Sequence, residues 1–294
     1  EAPAPAGAPG RAAAAAAASL TRSDQLPPTA GRLAHMKPPI VCHPRYSASP
    51  WDQTHRFPMI KFALIESRLR RHHGVQSFHE PKDVPDELLH AVHDPGYVDD
   101  FCSGSLDPKK LRRIGFTWSP SLVERTRLEV AGTVMTARLA LQYGIAHNTA
   151  GGTHHAHAEF GSGFCIFNDL AVAARAVQSD EEECGALSAR GSVTAKVDMI
   201  KTKAEKAKTA KRRVLIVDCD VHQGDGTASI FKDDPSVFTL SMHCQDNFPF
   251  RKHASDLDVP LPLGAGDEEF ALALRTACRD VLQGTQHAAP LFPN

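Results

Sequence analysis

Apolar and polar positions along the chain fall into two periods. Residues 214–217 read Val-Leu-Ile-Val between Arg213 and Asp218. A short apolar run rich in β-branched residues predicts a buried parallel strand. Ile40-Val41 predicts a short first strand, and residues 237–242 predict a later one. Helical spacing is clearest over residues 119–143, where Leu128, Ala131, Met135 and Leu139 follow the helical repeat. Pro120 sits near its first turn, Ser121 with Glu124 reads as a capping box, and Gly144 is a stop. Residues 58–70 predict a helix with Pro58 at its start and Gly74 after its end. Residues 168–177 and 267–282 predict two more, the last ended by Gly284. The reading is an α/β fold: an open, mostly parallel sheet with helices on both faces.

The polar residues after the 214–217 run carry the first candidate chemistry. They read Asp218-Cys219-Asp220-Val221-His222-Gln223-Gly224-Asp225-Gly226. Open α/β sheets place ligands beyond the carboxyl ends of their strands. Asp220 and His222 stand two apart, so an extended backbone points both to one side. One oxygen and one nitrogen donor at a strand end suit Zn²⁺ or a similar divalent ion. A strand followed by a polar turn is the plain alternative, because Gly224 and Gly226 are turn residues.

A second cluster strengthens the first. Residues 151–169 read Gly-Gly-Thr-His-His-Ala-His-Ala-Glu-Phe-Gly-Ser-Gly-Phe-Cys-Ile-Phe-Asn-Asp. Glycines beside His154 and His155 let backbone approach a substrate, and imidazole is the usual acid–base group near neutral pH. A solvated loop with a chance histidine pair is the competing reading; His72-His73 is such a pair without an evident role.

Together the two clusters resemble the histone deacetylase and acetylpolyamine amidohydrolase family, with its bacterial-type and class IV-like members nearest. The resemblance covers roughly residues 38–270. It also includes His55-Arg56-Phe57-Pro58-Met59, His93-Asp94-Pro95-Gly96-Tyr97 and Asn247-Phe248-Pro249-Phe250. It implies an arginase/deacetylase-like fold and a Zn²⁺-dependent amide hydrolase that removes acetyl groups from lysine side chains or from polyamines. Asp220 and His222 match two of three zinc ligands. His154 and His155 match tandem catalytic histidines, with Asp218 and Asp225 as their carboxylate partners, and His155 is the expected general base. Gly163, Phe164 and Phe248 match the acyl-lysine tunnel. Asp218, Asp220, His222, Ser241 and Met242 match a structural monovalent cation site suited to K⁺. Residues 244–252 shape the rim.

The family pattern also has a third metal-ligating aspartate and an oxyanion tyrosine downstream of the matched blocks. Only Tyr46, Tyr97 and Tyr143 occur here, none in that context. The resemblance therefore implies a domain missing its last strands, weak or absent activity, and a non-catalytic binding module as the alternative. A two-metal hydrolase on the arginase-like fold would want more carboxylates near His222.

Composition narrows the rest. A formal net charge of −1 over 294 residues gives no reason to expect nucleic acid. No apolar stretch approaches the ~20 residues that span a bilayer. Seven cysteines without paired spacing suggest a reducing compartment and no secretion. Residues 1–37 read as a disordered Ala/Pro-rich leader, with alanines 12–18 in one run; Arg11, Arg22 and Arg32 outnumber Glu1 and Asp24. A plastid or mitochondrial transit peptide fits this composition; without one, nucleus or cytoplasm is the expectation. Glu1 at the start suggests a fragment or processed product, and Met36 an alternative start. Residues 179–212, acidic at their start and lysine-rich at their end, read as a charged insertion in a domain spanning 38–294. Oligomeric state is not legible.

Overall fold

The computed structural model describes residues 37–48, 50–51, 54–190 and 212–283. Pro38–Asn294 forms one compact unit. The expectations for the leader, for the lysine-rich 191–211 stretch and for the Gly284 stop lie outside the described residues.

Two parallel groups of strands carry the framework. β1 (Ile40–Val41) pairs with β2 (His147–Asn148). β3 (Val214–Asp218), β4 (Val237–Cys244) and β5 (Leu257–Leu261) pair in that order. The sheet expected as one surface is thus seen as two parallel sets among the described residues. Helices cover both faces of the larger set. Ile216 of β3 packs into the cluster that holds Phe167 and, on α6 (Asp169–Arg190), Val172 and Ala176. Leu240 and Met242 of β4 pack against Ala277 and Val281 of α8 (Asp267–Gln283).

β3 departs from the fully buried strand predicted for residues 214–217. Only Ile216 is buried, and Val217 is 38% exposed. β4 covers one edge of β3, and no described strand pairs with the other. The neighbouring strand β4 is the one buried along nearly its whole length.

Among the described residues five α-helices lie between β1 and β2: α1 (Lys61–His73), α2 (Asp86–His90), α3 (Pro95–Ser103), α4 (Pro108–Ile114) and α5 (Pro120–Tyr143). α1 begins three residues later than predicted, because Lys61 N–H bonds to Pro58 C=O in a preceding turn. It ends at Gly74, whose φ of 64° suits a left-handed cap. α5 has the predicted span but another cap. Ser119 Oγ accepts from Leu122 N–H at 3.1 Å, which makes Ser119 the N-cap. Glu124 instead pairs with Arg45. α6 runs to Arg190, well past the predicted end at 177, so the charged segment begins as helix. Asn168 caps its start through Ala171 N–H, and Asp180 holds Arg138 of α5 at 2.7 Å.

α5 carries a buried ion pair. Arg125 grips Glu129 one turn on through two hydrogen bonds of 2.8 and 2.6 Å, and both side chains are nearly inaccessible. Arg125 also donates to Tyr46 C=O from the 3₁₀ turn Pro44–Tyr46. The pair therefore ties the β1 exit to the central helix.

A smaller ion pair closes the loop between α7 (Asp225–Phe231) and β4. Asp234 accepts from Ser236 N–H, Ser236 O–H and Arg175. Burial alone would raise its carboxyl, but the Ser236 bonds and the Arg175 charge outweigh it and hold the group at about 2. A depressed carboxyl stabilises the fold above its unfolded value near 3.8 and loses that contribution as pH falls through about 2. Asp234→Asn is expected to cost about 1–2 kcal/mol at pH 7. Urea midpoints against pH should show the deficit shrinking below about pH 4. A deficit unchanged down to pH 2 would contradict this origin.

Candidate active site

The site forms where three loops meet at the carboxyl end of β3. The 151–155 loop enters with Gly151 at φ 104° and Gly152 at φ 76°. Glycine is required at 151, since a Cβ there would stand 2.4 Å from Asp169 Oδ2. Asp169, fully buried at the start of α6, holds this loop. It accepts from Gly152 N–H at 3.0 Å, Thr153 N–H at 2.7 Å, Thr153 Oγ1 at 2.6 Å and Thr133 Oγ1 at 2.6 Å. Glu129 accepts from Gly151 N–H at 3.2 Å. Asp169→Ala removes four acceptor contacts at once. Activity is expected to fall about 10- to 100-fold, the usual cost of losing a supporting contact behind a site. A fall below threefold in kcat would show that the loop holds itself.

The clamped loop presents two buried imidazoles side by side, 4.1 Å between centroids. Each has its own carboxylate. His154 Nδ1 donates to Asp218 Oδ2 at 2.5 Å, and His155 Nδ1 donates to Asp225 Oδ1 at 2.7 Å. The two rings end with opposite tendencies. Burial pulls His154 down, but the Asp218 bond and the nearby carboxylates outweigh it and hold the ring above its usual value. Burial pulls His155 down further than Asp225 lifts it, so that ring stays below its usual value. At neutral pH this favours a charged His154 beside a neutral His155 whose Nε2 can accept a proton.

Asp225 serves a third ring that the sequence reading assigned no role. His157 Nε2 donates to Asp225 Oδ2 at 3.1 Å. Burial alone would raise the Asp225 carboxyl, but the bonds from His155 and His157 drive it far below the usual carboxylate range. His157 lies two residues past His155 in the same block, which was the available signal. His93 supports the assembly. Its Nδ1 donates to His157 C=O at 3.0 Å, and its Nε2 accepts Asn168 N–H at 2.9 Å. Burial pushes this imidazole down to about 4, so it stays neutral.

Asp220 and His222 lie beside the tandem rings, though not on extended backbone. The chain leaves β3 after Asp218 and bends, and His222 N–H and Nδ1 both turn onto Asp220 Oδ1 at 2.8 and 2.9 Å. His154 Nε2 stands 3.9 Å from the same oxygen. Burial alone would raise the Asp220 carboxyl; the His222 amide and the His154 charge outweigh it and hold it low. This is one oxygen and one imidazole donor. Among the described residues no third His, Cys, Asp or Glu joins them. These residues alone fall short of the three protein ligands of a catalytic zinc site.

A cleft of about 1120 Å³ opens over these groups, lined also by Gly163, Phe164 and Phe248. Phe248 meets the His155 ring edge-on at 4.9 Å. A Cβ on Gly163 would stand 2.8 Å from His155 Cδ2, so the backbone there passes as close as glycine permits. Phe164 holds a left-handed φ of 67°, fixed by its N–H on Ile114 C=O at 2.8 Å. Such a backbone persists in a non-glycine residue only where the surroundings hold it.

The other residues expected at a cation site, Ser241 and Met242, lie on β4. Asp218 lies opposite Ser241 in the β3–β4 register. Ser241 Oγ pairs with His243 Nδ1 at 3.0 Å, and the Met242 side chain belongs to the α8-facing core.

The histone deacetylase domain profile matches residues 52–185 and 197–289, more than half of the chain. The chain belongs to the histone deacetylase family. An uncharacterised protein of Picosynechococcus sp. is 46% identical over 247 residues, covering 83% of this chain and 72% of its own length. The acetoin utilization protein AcuC of Bacillus subtilis is 26% identical over 269 residues, covering 82% of this chain and 61% of its own. The histone deacetylase homologue of Aquifex aeolicus shares the fold, with a TM-score of 0.63 at 20% identity over 86% of this chain and 66% of that one. No described helix is long and apolar enough to cross a membrane.

Proposed function

We propose that the chain hydrolyses the amide of an acyl-lysine side chain, releasing carboxylate and free amine. The observation that carries this is the adjacent His154–Asp218 and His155–Asp225 pairs, opposite in charge tendency, at the floor of the cleft. Two acid–base groups pushed apart by their surroundings can divide base and electrostatic roles. His155 Nε2 takes a proton from water as it attacks the acyl carbon. Asp225 fixes the tautomer and steadies the imidazolium that forms. His154, whose protonated form Asp218 favours, is placed to offset the negative charge developing on the carbonyl oxygen. The proton on His155 then passes to the leaving amine. Gly163, Phe164 and Phe248 line the approach for an alkyl chain such as the lysine stem.

Asp220 and His222 would hold a divalent ion, zinc by family likeness, with a further donor from outside the described residues. Bound there, the ion would polarise the amide carbonyl and acidify water. A structural K⁺ would draw on Asp218, Asp220, His222, Ser241 and Met242, a reading supported by the register of Asp218 with Ser241.

Reaction in ¹⁸O water tests hydrolysis directly. An acetyl-lysine peptide given to zinc-supplied protein in its full reading frame should yield labelled acetate in proportion to free lysine. Loss of the acetyl group without label, or no loss at all, would rule the reading out in favour of acyl transfer or a binding module.

A further inference from the structure

We propose that the mouth of the cleft selects acyl-lysines that lie in an acidic sequence context. The proposal rests on the acyl-lysine reading above and adds the class of substrate. Arg112 and Arg113, in the last turn of α4, lie on one side of the cleft. Phe250 and Arg251, after β4, line it from another segment. All four residues are exposed, and Phe250 is 91% so. Among the described residues no carboxylate stands within 4.0 Å of the Arg112, Arg113 or Arg251 guanidinium.

The carboxylates lining the same cleft offer these arginines little. Glu129 is held by Arg125 at 2.6 Å, Asp225 by His155 and His157, and Asp220 by His222. Each has its partner inside the site, and none pairs with the rim arginines. A cleft edged by one sign of charge concentrates oppositely charged ligands and speeds their capture by 10- to 1000-fold at low salt.

Arg113 is also held in place. Its guanidinium carbon lies 3.8 Å from the Phe160 ring centroid. Phe160 stacks on His157 at 4.4 Å, and His157 donates to Asp225 behind His155. The cation at the rim is thus built onto the same stack that orients the acid–base pair. A peptide carboxylate near the acyl-lysine finds a positioned guanidinium there, and Phe250 offers an apolar surface to the peptide stem. A polyamine or a lysine-rich tail meets like charge at the same edge.

The test compares three fluorescent acetyl-lysine peptides with acidic, neutral or arginine flanks, on the protein in its full reading frame. Binding is read by anisotropy and turnover by product release, at about 0.01 M and about 1 M salt, where screening lengths are about 30 and 3 Å. The acidic peptide should bind at least tenfold more tightly than the arginine peptide at low salt and lose that margin at high salt. Arg112→Glu/Arg251→Glu should reverse the order of binding while circular dichroism stays unchanged. Equal binding of acidic and basic peptides, or an order untouched by the double substitution, overturns the proposal whatever the turnover. Selective binding of the acidic peptide with no turnover of any peptide leaves the rim standing and sinks the hydrolase reading instead.

Discussion

Replacing His155 by glutamine is expected to lower kcat on an acetyl-lysine peptide by about 10²- to 10⁴-fold, the range that one positioned general base supplies. Glutamine keeps a polar group against Asp225 and a similar volume beneath Phe248, so the effect falls on proton transfer. His154→Gln should cost less, because that ring contributes charge and takes no proton from water. Single-turnover rates separate the chemical step from binding and product release. A His155→Gln enzyme within tenfold of the parent, or a larger loss at His154, would reverse the assigned roles.

The largest expected stability effect lies away from the floor of the cleft. Arg125→Ala strands the Glu129 carboxylate, which is 3% exposed. Breaking a buried pair from one side costs about 3–5 kcal/mol, since the remaining charge loses its partner. Burial already pushes Glu129 up despite Arg125, and losing the arginine removes the charge that opposes this push. For a domain of this size that loss corresponds to a fall in Tm of roughly 6–20 °C. Arg125→Met/Glu129→Leu removes both charges and should recover much of the stability. It should not recover full activity, because Gly151 N–H loses its acceptor. Thermal unfolding of the three proteins checks this; a single variant within about 1 kcal/mol of the parent would show that water reaches Glu129.

What was legible in the sequence was local. Asp218, Asp220, His222 and Asp225 sit within eight residues, and His154 and His155 are adjacent, so spacing alone grouped them. The long α5 followed from apolar periodicity and its glycine stop. What was not legible depended on contacts between distant residues. Ser119 caps α5 because Pro120 already occupies N1, a detail that the Ser121–Glu124 spacing disguised. α6 continues past residue 177, where Asp180 finds Arg138 on α5, 42 residues away in sequence. Asp169 was noted only as the end of a block, yet it holds the 151–155 loop across 16 or 17 residues and Thr133 across 36. The exposure of Val217 reflects which neighbours pair with β3, which an apolar run cannot state. The metal reading was half legible: two donors came from spacing, and the described residues add no third.

The most direct measurement is zinc content and acetyl-lysine turnover on the same sample, for the protein in its full reading frame and for His222→Ala. The parent should hold about one zinc per chain and release free lysine. His222→Ala should lose both together while its circular dichroism stays unchanged. Turnover that survives in His222→Ala, or a folded parent that binds zinc and never cleaves, would contradict the assignment of this cleft as a metal-assisted deacylase site.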